Sequence, residues 1–173
     1  MRIERKQAIL LVLTILWMAF IFSFSARPAD ESTQMSLSVG KWIGQSLVPG
    51  YDRWNETEQE TFARNIDYPV RKCAHASEYA VLGIMLSSLA LSFDKPGEGG
   101  MAIPWKRIMA ATLTGILYAA RDEFHQLFVP GRSGQFTDVL IDSMGLLMGI
   151  IFALLAVRYC RKRGKCRDGH VQS

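Results

Sequence analysis

The stretch Tyr118-Ala-Ala-Arg121-Asp122-Glu123-Phe-His125-Gln126-Leu-Phe128-Val-Pro130-Gly131-Arg132-Ser-Gly-Gln-Phe-Thr-Asp138-Val-Leu-Ile-Asp142 decides how the rest of the chain is read. It separates two apolar runs, Ile108 to Ala120 and Val139 to Tyr159, so its ionisable groups fall at, or just inside, a membrane boundary. Charged groups at that depth are costly and persist mainly where they face a bundle interior or a wet cavity. A second polar group, Arg71, Lys72, His75 and Glu78, opens another apolar run.

Working outward, 49% of the 173 residues are hydrophobic, and they lie in blocks rather than at amphipathic spacing, which is the membrane pattern. The net charge of +4 does not point to nucleic acid, because the basic excess collects beside the apolar runs. Cys73, Cys160 and Cys166 have no metal-ligand spacing. The last two fall in an expected cytoplasmic tail, where a disulfide is not expected.

These features predict an all-α integral membrane protein with a single domain over residues 1–173. Its four transmembrane helices cover about 8–25, 69–93, 105–128 and 137–159, and a basic cytoplasmic tail occupies 160–173. The first run exceeds a secretory h-region and is followed by a poor cleavage site, so it reads as an uncleaved helix. Pro69 suits the first turn of the second helix. Asp94 to Lys106, rich in Gly and Pro, reads as a flexible turn. Lys and Arg collect at the N-terminus, around Lys95 to Arg107 and in the tail, so both termini are expected in the cytoplasm.

The long connection from Ala26 to Tyr68 is then extracytoplasmic. Within it, Met35, Val39, Trp42, Ile43 and Leu47 recur at helical spacing, as in an amphipathic helix lying in the interface or in the surface helix of a small lid. Asn55 with Glu58 marks a further helix start. This topology brings both polar groups to the outer side of the membrane.

On the second membrane helix, Arg71, His75 and Glu78 share a face, and Glu78 lies ~13 Å along the axis from Pro69. On the third, Tyr118, Asp122 and Gln126 share a face, with Glu123 one step around. On the fourth, Asp138, Asp142, Gly145 and Gly149 form a stripe, and its Gly-x-x-x-Gly half permits close backbone approach. His75, Glu78, Asp122, Glu123, Asp138 and Asp142 are the candidates for acid/base chemistry. His75, Glu78 and Asp122 are also the candidate ligands should a divalent metal be the cofactor. Arg71, Lys72, Tyr118, Gln126 and Arg132 are candidate ligand-binding groups, the two arginines because their forks suit phosphate or carboxylate. The plain alternative is that the polar pairs only hold helices together.

The motifs Arg71-Lys72-x-x-His75-x-x-Glu78-Tyr79-x-x-Leu82-Gly83, Tyr118-x-x-x-Asp122-Glu123-x-x-Gln126-x-Phe128-x-Pro130-Gly131-Arg132 and Asp138-x-x-x-Asp142-x-x-Gly145-x-x-x-Gly149 resemble the VanZ family of bacterial membrane proteins. The resemblance covers about residues 69–150. Ala76 and Ser77 are smaller than the residues expected between His75 and Glu78, a departure that touches packing. The family is named for a member that gives modest resistance to teicoplanin, a glycopeptide with a fatty tail, without altering the peptidoglycan target. The resemblance implies the bacterial cytoplasmic membrane. The outward-facing site adds membrane lipid, a lipid-linked cell-wall intermediate or a lipoglycopeptide as expected partners. A lipid-directed enzyme, a non-catalytic binder and an assembly protein are the competing functions.

Overall fold

The computed structural model describes residues 4–93 and 103–169, with side chains of the last helix described to residue 160. Five α-helices follow in order: α1 Arg5–Ser25, α2 Ala29–Leu47, α3 Glu56–Ser92, α4 Trp105–Gln126 and α5 Phe136–Gly169, with a short 3-10 turn at Tyr51–Arg53 between α2 and α3. No strand occurs among the described residues. The expected turn after Phe93 lies, for residues 94–102, outside the described residues.

The burial pattern is inverted relative to a water-soluble bundle. Asp122, Asp142, Ser25 and Ser87 are fully buried or nearly so, whereas Leu16, Met109, Leu117, Met148 and Phe152 face outward. A water-soluble fold rarely leaves so much apolar surface uncovered, whereas lipid covers it without cost. On α1 the buried residues Gln7, Thr14 and Ile21 fall every seventh position, so one narrow strip touches protein and the remaining apolar side chains point away. By length and composition Arg5–Ser25, Glu56–Ser92 and Phe136–Cys160 are candidate membrane spans. The third expected span, about 105–128, corresponds to α4, Trp105–Gln126, which carries charges at both ends and falls short of that apolar standard.

Helix α3 is the hub and packs on each of the other four. It starts where Asn55 Oδ1 accepts from the Glu58 amide and Glu58 Oε2 accepts from the Asn55 amide, each at 2.9 Å, a reciprocal cap that satisfies two otherwise orphaned donors. The helix then runs unbroken through Pro69 to Ser92. The expected start at Pro69 is therefore corrected: the segment after Asn55 and the second membrane helix are one element. Proline removes one intrahelical hydrogen bond, and packing upstream of it keeps the helix going. Ala63 is buried against Gly40 of α2, the Phe62 ring meets Tyr51 and Trp54, and Ser36 donates to Asp67.

Helix α2 turns small residues inward. Ser36, Gly40 and Gly44 are buried, while Trp42 is 65% and Leu47 75% exposed. Trp42 and Leu47 of its apolar stripe thus point outward, the orientation suited to a membrane interface, while Met35, Val39 and Ile43 border the space beside α3. The α3–α5 contact is closer still. A Cβ on Gly145 would run into the carbonyl oxygen of Ala76, one on Gly149 into that of Ala80, and one on Gly83 into that of Leu146. The Gly145-x-x-x-Gly149 stripe thus works as its spacing suggests, bringing α5 against the α3 backbone at Ala76 and Ala80. Helix α5 continues past the expected end at Tyr159 to Gly169.

Candidate functional site

A cavity of about 810 Å³ opens between the C-terminal end of α1, α2, the middle of α3 and the loop from α4 to α5. Arg71, Lys72, His75 and Glu78 reach it from α3, in the one-face arrangement that helical spacing implies. Gln126, Arg132 and Asp138 reach it from the other side. Met35, Val39 and Ile43 of α2 and Ile66 of α3 supply an apolar wall.

The candidates fall into two layers. Seven line the cavity: Arg71, Lys72, His75, Glu78, Gln126, Arg132 and Asp138. Asp122, Glu123 and Asp142 lie behind that lining, buried, and Tyr118 is also outside it. Contacts run both between the two layers and within the lining. His75 Nδ1 lies 3.8 Å from Asp142 Oδ1. Glu123 Oε1 accepts from Gln126 Nε2 at 2.8 Å, and Gln126 Oε1 in turn accepts from Arg132 Nη1 at 3.2 Å. Glu123 Oε2 accepts from the Gln135 amide at 3.0 Å. Lys72 pairs across helices with Asp138.

Arg132 owes its direction to the backbone. Its amide donates to the Val129 carbonyl at 3.1 Å across Pro130-Gly131, and Gly131 has φ of 72°, the Pro-Gly pattern of a type II turn. From there Nε donates to the Arg27 carbonyl at 3.0 Å and Nη2 to the Phe24 carbonyl at 3.3 Å, so the guanidinium caps the end of α1. Burial and the nearby Arg71 pull its pKa down, while Asp122, Glu123 and Glu78 act the other way. The guanidinium stays cationic throughout.

Several atoms keep capacity to spare. Both Asp142 carboxylate oxygens, Asp122 Oδ1, His75 Nδ1 and the Tyr79 hydroxyl are buried without a hydrogen-bond partner. Such groups in a low-dielectric setting are costly to leave unmade and mark a place where polar contacts matter to more than packing. Tyr118 is different: its hydroxyl donates to the Met18 carbonyl at 2.6 Å, a structural tie between α4 and α1. Of the acid/base candidates, His75, Glu78 and Asp138 line the cavity, and Asp122, Glu123 and Asp142 stand behind that lining. Among the described residues no group of three or more His, Cys, Asp or Glu is arranged to hold a metal ion, so His75, Glu78 and Asp122 do not converge as ligands.

Sequence reasoning missed three participants. Ser25 donates to Asp122 Oδ2 at 2.5 Å, and its only signal is its place at the close of the first apolar run, two residues after Ser23. Asp67 accepts from Ser36 of α2 and pairs with Arg71 at 3.3 Å; the i,i+4 spacing to Arg71 was the available clue. Tyr79 stands in the quoted motif, yet nothing local distinguishes its buried hydroxyl from a packing residue.

A family model described as VanZ/LLP1 matches residues 10–157, from early in α1 to near the end of the apolar part of α5. No curated protein and no solved structure matches the chain.

Proposed function

The chain belongs to the VanZ/LLP1 family, and on that premise we propose that it is a cell-envelope membrane protein whose cavity binds a lipid or lipidated, cell-wall-related ligand. The observation that carries this reading is the cavity itself: cationic side chains on α3 and the α4–α5 loop face an apolar wall from α2 within one space of about 810 Å³. A purely polar ligand would waste the wall, and a purely apolar one would strand the charges. In this reading α4 spans the bilayer beside α1, α3 and α5, both termini are cytoplasmic, and the cavity opens outward from the bacterial cytoplasmic membrane. Lipid-linked cell-wall intermediates and teicoplanin-type glycopeptides are both met on that side, and reduced susceptibility to such an antibiotic is the cellular consequence proposed.

Native mass spectrometry of the protein from mild detergent tests the reading. A co-purifying lipid lost in the Lys72→Ala variant supports it, and a protein that carries no lipid and takes up none in vesicles ends it. A second reading, acid/base chemistry on the bound headgroup, is favoured by His75, backed by Asp142 and one turn from Glu78 in the same cavity. Full cellular activity of Glu78→Gln at normal protein level would remove it.

A further inference from the structure

We infer that the cavity selects a lipid bearing a phosphate monoester, with the phosphate at Arg71 and the chain laid along α2. The inference deepens the lipid-handling reading and rests on it.

The cationic groups at the cavity are Arg27, Arg71, Lys72 and Arg132, against the lining carboxylates Glu78 and Asp138 and the Arg71 partner Asp67, which leaves a positive surplus. A phosphate monoester carries roughly −1.5 to −2 near neutral pH, so it complements that surplus in sign. The commitments of the four cations single out Arg71. Lys72 is paired with Asp138. Three Arg132 donors are engaged by the carbonyls of Phe24 and Arg27 and by Gln126. Arg27 donates to the Met35 sulfur at 3.0 Å and lies over the Phe24 ring. Among the described residues the one ion pair of Arg71 is with Asp67 at 3.3 Å, and its side chain is 40% exposed. The fork is therefore steadied from one side, with donors left for an incoming oxyanion.

A planar carboxylate is satisfied by one arginine fork. A phosphate offers three acceptor oxygens, which suits the Arg71 fork together with the donors that Lys72 and Arg132 keep beyond their existing contacts. Volume argues for a lipid over free phosphate. Pockets of this size enclose drug-sized molecules, and inorganic phosphate would leave Met35, Val39, Ile43 and Ile66 facing nothing apolar.

The test uses the full chain in mild detergent and titration calorimetry with three probes: short-chain phosphatidic acid, phosphatidylcholine of the same chains, and inorganic phosphate. Phosphatidic acid is expected to bind at least about tenfold more tightly than phosphatidylcholine, the scale of one charge-assisted contact. Arg71→Gln should erase that preference, Arg71→Lys should restore part of it, and Val39→Ser should weaken phosphatidic acid while leaving inorganic phosphate unchanged. Thermal unfolding of each variant separates lost binding from lost fold; Arg71 sits in a half-exposed i,i+4 pair, so its variants are expected to fold. Equal binding of both lipids overturns the phosphate assignment and leaves the lipid-handling reading standing. Binding of inorganic phosphate with neither lipid overturns both.

Discussion

Helix α3 has two neighbours that treat it in opposite ways. Its C-terminal half meets α5 backbone to backbone, with Gly83, Gly145 and Gly149 pressed against carbonyl oxygens. Its N-terminal half meets α2 through Ser36 and Gly40, with the cavity opening alongside. The first contact has no slack, because a backbone oxygen cannot move without its helix. The second has some: a Cβ at Gly40 would stand 3.1 Å from the Ala63 Cα, a crowding that small shifts can relieve. One face of α3 is therefore a rigid back wall that sets the depth of His75 and Glu78, and the other is a looser front beside the cavity.

The sharpest way to break this contrast is to make the same change on both sides. Gly149→Ala is expected to cost about 3 kcal/mol, the upper end for overpacking, since its Cβ meets the Ala80 carbonyl oxygen. Detergent-solubilised unfolding curves read the loss directly. Next in size is Arg132→Ala, which removes the cap on the Phe24 and Arg27 carbonyls and the contact to Gln126. It should cost about 2 kcal/mol and raise protease cleavage between α1 and α2, whereas cleavage elsewhere stays the same.

Gly40→Ala should change stability by less than about 1 kcal/mol, because the helix-propensity gain of alanine over glycine offsets the crowding at Ala63. A loss as large as at Gly149 would mean that the front is as rigid as the back. Smallest of all is Arg64→Ala on the solvent side of α3. Its pair with Glu60 is 2.7 Å long but largely exposed, and such pairs contribute little. The unfolding midpoint should not move beyond error.

Parts of this contrast are readable in the chain. The Gly145-x-x-x-Gly149 spacing announces close approach, and Asn55 with Glu58 announces the cap that opens α3. Both rest on distances of three or four residues, where helical geometry alone places the groups. The joining of two expected helices through Pro69 is not readable that way. Proline at a first turn and proline inside a helix look alike locally, and what separates them here is the packing of Ala63, Phe62 and Asp67 against α2 and the turn at Tyr51.

The site divides along the same line. Helical periodicity put Arg71, His75 and Glu78 on one face, and block hydropathy put them near a membrane boundary. Periodicity could not say that Asp122 turns to Ser25, 97 residues away, or that Lys72 meets Asp138, 66 residues away. Nor could it rank the carboxylates into those that line the cavity and those that stand behind its lining. The sequence by itself determined which residues form apolar helices and which share a face, because those are properties of one helix in isolation. Only the tertiary structure decided which faces meet and how deep each charge lies, because helix register is set jointly by every contact in the bundle.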